Sequence, residues 1–531
     1  MEREAPAWRD AVFTGWRPYA FLAAIVVVVY ARCLTYGLIL LDDNVFLGNR
    51  FSILSDWSKL PAVFGRGAFM IAGTGDLYYR PLMIVSFMLD AHLGGRNPDI
   101  FHFSNIVYHI LSTALVFRVL RLIVGEQKAL LSAALFAAHP ALVNAVAWIN
   151  GRTDSFLAIF VLASFHCYQL FLRDGRKRWM SGHLILWAAA LLCKELAIVL
   201  PAACLAYAFL EGKSRPGLDD HGGLALGWAG GLAAWWLARR AILHPVPGQS
   251  YSLAGMLGST LKNLPAALVY LGKFIAPVGL SPYPILRDSS LFLGTAAALA
   301  VGAACLWPRG ADFRRILWGL CWFVLFLVPS FVYPDDGVTP VFFEYRLYLP
   351  ALGLLVILSE AAPFRWFDLG LPTHALCAAL LLLVFGSAAA ADCGYYRDDS
   401  AAWSRAVEAS PHSAFAHVQF GVSLLLHKDI KGAEVESLKA LELEPQKTMA
   451  HNNLGVIYMN TGRVSQAEEQ FRLELKANPD YDSALYNLGL ACEAQGRHSE
   501  ARELWRRALE VNPDYDDARA KLSEPASLSP R

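Results

Sequence analysis

The chain has 531 residues, 56% of them hydrophobic and 17% charged, with a mean hydropathy of +0.38; a soluble protein of this length does not carry so much apolar material, so the composition requires many buried spans. The net charge of +1 gives no argument for a nucleic-acid partner. The nine cysteines show no C-x-x-C spacing and mostly sit inside apolar runs, where they read as small hydrophobes, neither a disulfide framework nor a zinc site.

In chain order, residues 19–41 form a first apolar run behind a basic start. It is longer than the apolar core of a signal peptide, and no small-x-small cleavage pattern follows, so it reads as a retained span. Further runs follow at 99–124, 128–149, 153–172, 179–211, 222–241, 258–277, 291–307, 314–333, 343–360 and 372–391. Each is long enough, or nearly so, to cross about 30 Å of hydrocarbon as a helix. That makes about eleven crossings if 179–211, interrupted by Lys194-Glu195 and Pro201, passes once as a kinked or re-entrant segment. A hairpin there would reverse everything downstream.

Basic residues set the orientation. They gather at Arg3, Arg9 and Arg17, at Arg118, Arg121 and Lys128, in "RDGRKR" (173–178), in "RR" (239–240) and in "RGADFRR" (309–315). With a cytoplasmic amino terminus, all five groups fall on one face. The loops 42–98, 150–154, 278–290 and 334–342, and everything after the last span, then lie outside the cytoplasm.

Beyond residue 391 the material changes. Pro411, Pro445, Pro479 and Pro513 are spaced by 34, and Gly421, Gly455 and Gly489 keep the same interval. A 34-residue period with "NLGVIYMNTGRVSQAEEQFRLELKANP" (453–479) as its best copy resembles the tetratricopeptide pattern of paired helices. Gly455 and Gly489 let the helices of a pair approach, Gly462 and Gly496 turn the chain, and the prolines end each second helix. The expected organisation is a membrane domain over 1–391, a connector with half a repeat over 392–413, three repeats plus a capping helix over 414–522, and a loose tail over 523–531. The fold class is all-α: a polytopic helix bundle followed by an α-solenoid whose concave surface suits an extended peptide, either to recruit a substrate or only to assemble a complex.

Charge inside a membrane is costly unless it faces water or a partner. The charged and polar residues expected on the non-cytoplasmic side are therefore the informative ones: Asp42 and Asp43; Arg80; His102, Asn105 and His109; His139; Arg152 and Asp154; Lys194 and Glu195; Glu344 and Arg346. Carboxylates and cations around one end of a helix bundle suit an anionic lipid headgroup bearing a reactive sugar. Cations hold the phosphate, and a carboxylate takes a proton from an acceptor hydroxyl. Each residue has a plainer reading beside it: solvated helix ends for the aspartates, a salt bridge between Arg346 and Glu344, a tight turn with an ion pair in "NGRTD" (150–154), packing histidines at 102 and 109, and interfacial tyrosines at 78 and 79.

"LDDN" (41–44), "HPALVNAVAWINGRTDSFLAIFVLASFHCY" (139–168), "CKEL" (193–196) and "FFEYRLYLP" (342–350), in this order and followed by the repeats, resemble the transmembrane and tetratricopeptide repeat-containing glycosyltransferases of the GT-C fold, relatives of the protein O-mannosyltransferases. The resemblance implies inverting transfer of a sugar from a polyprenyl (or dolichyl) phosphate to a hydroxyl, such as Ser or Thr of a protein bound by the repeats, on the extracytoplasmic side. It also implies an acidic base just after the first span, which is Asp43 or Asp42. Neighbours on a helix point about 100° apart, so only one of them faces the donor; Asp43 is preferred, and the other is a candidate metal ligand or cap. Arg346, with Lys194 or Arg152, would hold the phosphate, and Arg80, Glu344, Glu195, Asp154, His102, His109 and His139 would support the site.

The short repeat array and compact membrane part look bacterial, which would make this a multi-pass inner-membrane protein with periplasmic repeats. Where the family has an acidic residue after the "HP" motif, this chain has Asn144. Metal is left open, with a divalent cation as one option. A membrane scaffold that assembles envelope proteins, and the same fold acting on a glycan or lipid acceptor, stand as the alternatives.

Overall fold

The computed structural model describes residues 15–39, 41–49, 51–68, 78–211, 218–243, 252–307, 310–333, 339–513 and 515–524. Arg3, Arg9, Arg309, residues 334–338 of the 334–342 loop and 525–531 of the tail lie outside the described residues. The chain divides into two compact units, 1–398 and 399–531. Both are helical; among the described residues the only β pairing is one isolated bridge, Ile285 with Val341.

The first unit starts with α1 (Arg17–Tyr30), which tightens into a 3₁₀ turn over Ala31–Thr35. The first loop is folded rather than open. Its short helices Phe51–Leu54 and Leu60–Phe64 pack on α2 (Pro81–Gly94), and Phe46, Leu54, Phe87 and Phe101 form their own apolar cluster. The helix α3 (Pro98–Val124) packs against α1, α4 (Glu126–Ala137) and α5 (Arg152–Asp174), and α5 packs against α6 (Lys177–Cys193). Next come α7 (Leu200–Glu211), α8 (Leu218–Ile242), α9 (Leu253–Asn263), α10 (Ala266–Ile275) and α11 (Leu291–Leu306). The unit closes with α12 (Phe313–Leu327), α13 (Pro350–Glu360) and α14 (Pro372–Cys393), the last returning against α1. One continuous core runs through the bundle, centred on rings such as Phe165, Trp318 and Trp322, whose centroids lie 5.1–5.4 Å apart.

Among the described residues, five helices are long and apolar enough to cross a membrane: Arg17–Thr35, Pro98–Val124, Arg152–Asp174, Phe313–Phe331 and Pro372–Tyr396. A sixth arises if Glu126–Ala137 and Pro140–Ala147, bent by 60°, make one span. Several of the eleven expected runs are shorter helices with a break, and each break has a cause. Pro140 removes a backbone donor after α4, Pro265 does so between α9 and α10, and the 179–211 run opens at Lys194, whose backbone is fully extended (φ −162°, ψ 140°). The 343–360 run becomes α-helical only at Pro350, because Glu344–Leu347 forms a 3₁₀ turn carrying the buried Glu344 and the half-buried Arg346.

The second unit is α15 (Asp399–Ala409), then three helix pairs, Ala414–Leu426 with Ile430–Leu443, Ala450–Asn460 with Val464–Ala477, and Asp482–Ala494 with His498–Val511, and a last helix Asp516–Ser523. The 34-residue period thus appears as the helix pairs that it implied. A Cβ on Gly455 would stand 2.5 Å from the Phe471 ring, which is why the pair tolerates no side chain there. The histidines repeat as well. His417 bridges Glu436 (2.5 Å) and the carbonyl of Pro411 (3.0 Å), and His451 bridges Gln470 (2.7 Å) and the carbonyl of Pro445 (3.2 Å).

Candidate functional site

The charged residues that gather in the first unit sit where helices end. Arg80 precedes Pro81 at the start of α2, and Asp154 lies in the first turn of α5, where the helix dipole favours a carboxylate. Lys194 and Glu195 occupy the break after α6, and Arg346 sits in the 3₁₀ turn before α13. With Asp42 from the folded first loop, they line one cavity of about 620 Å³.

Four of these six charges are matched inside the cavity. Arg80 holds Glu195 with two nitrogens, Nη2 to Oε1 at 2.5 Å and Nε to Oε2 at 3.1 Å. Lys194 Nζ donates to Asp154 Oδ2 at 2.7 Å. The remaining two have only neutral partners among the described residues. Asp42 Oδ2 accepts from Asn150 Nδ2 at 2.8 Å. Arg346 Nη1 donates to the hydroxyl of Tyr333 (2.7 Å) and to the carbonyls of Val341 (2.8 Å) and Ser330 (3.2 Å). The result is a water-accessible chamber with one carboxylate and one guanidinium uncommitted to any counter-charge. Burial raises the Asp42 pKa above the usual carboxylate range, against the opposing effects of Asn150 and Arg80. An aromatic wall completes the cavity: Phe343 and Tyr345 stack at 5.1 Å, with Trp148 6.2 Å from each. Tyr78 also lines it, under the Arg80 guanidinium at 4.2 Å.

Six of the expected residues lie elsewhere. Asp43 does not line the cavity: it is 1% exposed, and its Oδ2 accepts from the backbone N–H of Ile39 at 3.0 Å. Arg152 is fully buried and pairs with Asp90 of α2, while Nη2 donates to the carbonyl of Phe101 at 2.7 Å, so it points away from the chamber. The plainer reading of "NGRTD" joined Arg152 to Asp154; each has a different partner instead. Glu344 pairs with Lys273 at 2.5 Å and leaves Arg346 alone. Among the histidines, His102 contacts the carbonyl of Gly37 at 3.4 Å. His109 sits between the Tyr348 hydroxyl (2.6 Å) and the carbonyl of Ala137 (3.1 Å). His139 reaches the carbonyl of Phe274 at 2.8 Å and stacks on its ring. All three are buried links between segments. Tyr79 is likewise buried, its hydroxyl on the carbonyl of Phe64. Among the described residues, no three His, Cys, Asp or Glu side chains converge as a metal ion would need.

Sequence reasoning missed Asp90, Lys273 and Tyr333. Asp90 and Lys273 are single charges within apolar helices, and that cost in apolar surroundings was the available signal that each has a partner. Asn150 was read only as part of the tight turn in "NGRTD" (150–154).

A family model described as dolichyl-phosphate-mannose-protein mannosyltransferase matches residues 82–236, and a tetratricopeptide repeat model matches 437–482 and 452–517. Protein O-mannosyl-transferase Tmtc2 of Drosophila melanogaster is 32% identical over 203 residues, covering 36% of this chain and 22% of that protein. Protein O-mannosyl-transferase Tmtc1 of the same organism is 32% identical over 254 residues, 46% of this chain and 27% of that protein. The human Protein O-mannosyl-transferase TMTC4 is 34% identical over 156 residues, 25% and 21% of the two chains. The chain thus spans about a fifth to a quarter of the length of the curated relatives it matches. Among solved structures, "Crystal structure of YrrB: a TPR protein with an unusual peptide-binding site" is 22% identical, covering 28% of this chain and 81% of that one, at a TM-score of 0.23, too low to carry an argument. The chain is a membrane protein with tetratricopeptide-like repeats, related to these O-mannosyl-transferases. The relatives named are animal proteins and give no support to the bacterial source expected from the short array.

Proposed function

We propose that this relative of the protein O-mannosyl-transferases is itself a glycosyltransferase, moving a sugar from a polyprenyl phosphate to a protein hydroxyl on the non-cytoplasmic side. The observation that carries the reading is the pair left over in the cavity. Of three carboxylates and three cations, Asp42 and Arg346 are the two without a counter-charge among the described residues, and transfer from a lipid phosphate needs one of each.

In this mechanism Asp42, not Asp43, is the general base, because Asp42 faces the chamber. It takes the proton from the acceptor hydroxyl as that oxygen bonds to the anomeric carbon. The bond from that carbon to the phosphate oxygen breaks on the opposite face, with inversion. The departing phosphate keeps the electron pair and is held by Arg346, whose planar fork spans two oxygens and among the described residues is bonded to a hydroxyl and two carbonyls. Arg80 and Lys194 are engaged with carboxylates and tune the field. The Trp148–Phe343–Tyr345 wall offers aromatic faces to a sugar ring, and the repeats recruit the acceptor chain.

The test is transfer by the purified full-length protein from a panel of polyprenyl-phosphate sugars, dolichyl phosphate mannose first, to Ser/Thr peptides, with mass analysis of the products. One donor should give a product, and Arg346→Ala should raise its KM and slow turnover. Arg346→Lys should rescue only part, since an ammonium does not reproduce the fork. No product from any donor, or an Arg346→Ala variant equal to wild type, would overturn the reading.

A further inference from the structure

The turn that follows the short helix after Pro140 is held far more tightly than a surface turn requires. Asn105, buried in α3, donates its amide to three carbonyls there, those of Val146 (3.1 Å), Trp148 (2.9 Å) and Ile149 (3.3 Å). A Cβ on Gly151 would stand 2.2 Å from the carbonyl oxygen of Asn144, so only glycine fits the bend. Behind it, Thr153 donates its backbone N–H (3.4 Å) and its hydroxyl (3.1 Å) to the carbonyl of Asn150. The main chain at Asn150 is therefore fixed from both sides without help from its own side chain. That side chain is directed across the cavity wall to Asp42, 108 residues away in sequence, with Nδ2 on Oδ2 at 2.8 Å. Its other polar atom, Oδ1, is buried and has no hydrogen-bond partner among the described residues.

A buried amide oxygen without a donor is costly unless something arrives to satisfy it. We propose that Asn150 is the positioning residue for Asp42 in both of its protonation states: its N–H orients the carboxylate before transfer, and after a half-turn of the amide its oxygen accepts the proton that Asp42 has gained. The inference rests on the reading of Asp42 as the base. Protons balance in this step: the acceptor O–H breaks, an O–H forms on Asp42, and that hydrogen points at Asn150 Oδ1 until water exchanges it. The half-turn exchanges the positions of Nδ2 and Oδ1, and the anchored main chain need not move. The hydrogen bond from Nδ2 also opposes the upward effect of burial on the Asp42 pKa, so its removal leaves the base harder to ionise.

The experiment measures kcat, KM and the pH–rate profile of full-length Asn150→Ala and Asn150→Ser with dolichyl phosphate mannose and a Ser/Thr peptide, beside Asp42→Asn. Melting and gel filtration in detergent report the fold. For Asn150→Ala we expect kcat to fall by about tenfold to a hundredfold with donor KM unchanged, and the acidic limb of the profile to move to higher pH. Serine, which keeps a short donor and acceptor, should recover part of both effects. A residue that only shapes the turn would lower stability and leave the profile in place, and that result overturns the inference. Should the alanine variant not fold, the serine profile decides alone. If Asp42→Asn keeps full transfer, the base assignment itself fails; if it is inactive while the Asn150 profiles superimpose on wild type, only this inference does.

Discussion

Asp42 and Asp43 share a peptide bond yet meet different surroundings, and the difference is why the proposed mechanism takes Asp42 as the base. Asp42 faces a neutral amide and open space; Asp43 is sealed in and bonded to the backbone N–H of Ile39. Burial, partly opposed by that bond and reinforced by the Asp42 charge, pushes the Asp43 pKa up to about 7. An unfolded aspartate titrates near 4, so protonated Asp43 favours the fold, and this contribution is lost as pH rises through about 7. Melting of the purified protein between pH 5 and 8 should therefore show stability falling toward alkaline pH. Asp43→Asn should flatten that slope and leave sugar transfer near wild type.

At the scale of elements, α2 is tied to α5 by Asp90 and Arg152, both fully buried. The guanidinium also lies 4.3 Å over the Phe87 ring, so the pair is embedded in the apolar cluster of the first loop. Removing one partner of such a pair leaves an uncompensated buried charge and costs about 3–5 kcal/mol. Asp90→Ala should unfold at distinctly lower temperature, whereas Asp90→Leu combined with Arg152→Met should recover much of the loss, which melting curves of these two variants and the wild type will show. Elements also explain what was legible beforehand. The repeat helices could be read because a 34-residue period is a local property of the chain, repeated three times. Lys194-Glu195 could be read as a break because charge interrupts an apolar run. The partners of Arg152 and Glu344 could not, since Asp90 and Lys273 lie 62 and 71 residues away, and no spacing rule links positions that only tertiary packing brings together. That Asp42 and not Asp43 lines the cavity could not be read for the same reason: the Asp43 side chain is buried on the backbone N–H of Ile39, a direction that a helix ending at Leu41 does not fix.

For the whole molecule, the two units suggest a division of labour. The cavity and all six of its charges belong to the first unit, and the repeats form the second. A chain ending at residue 398 should keep transfer to a short free peptide while losing turnover on a folded protein acceptor. A scaffold would behave oppositely, tolerating changes in the cavity and failing when the repeat surface is altered. The measurement that tests the central claim most directly compares Asp42→Asn and Asp43→Asn in the full-length protein, using dolichyl phosphate mannose and a Ser/Thr peptide. General base help contributes about 10²–10⁴ in rate, so the Asp42 variant should lose activity on that scale while the Asp43 variant retains it. Full activity in the Asp42 variant, or loss confined to a well-folded Asp43 variant, would contradict the account.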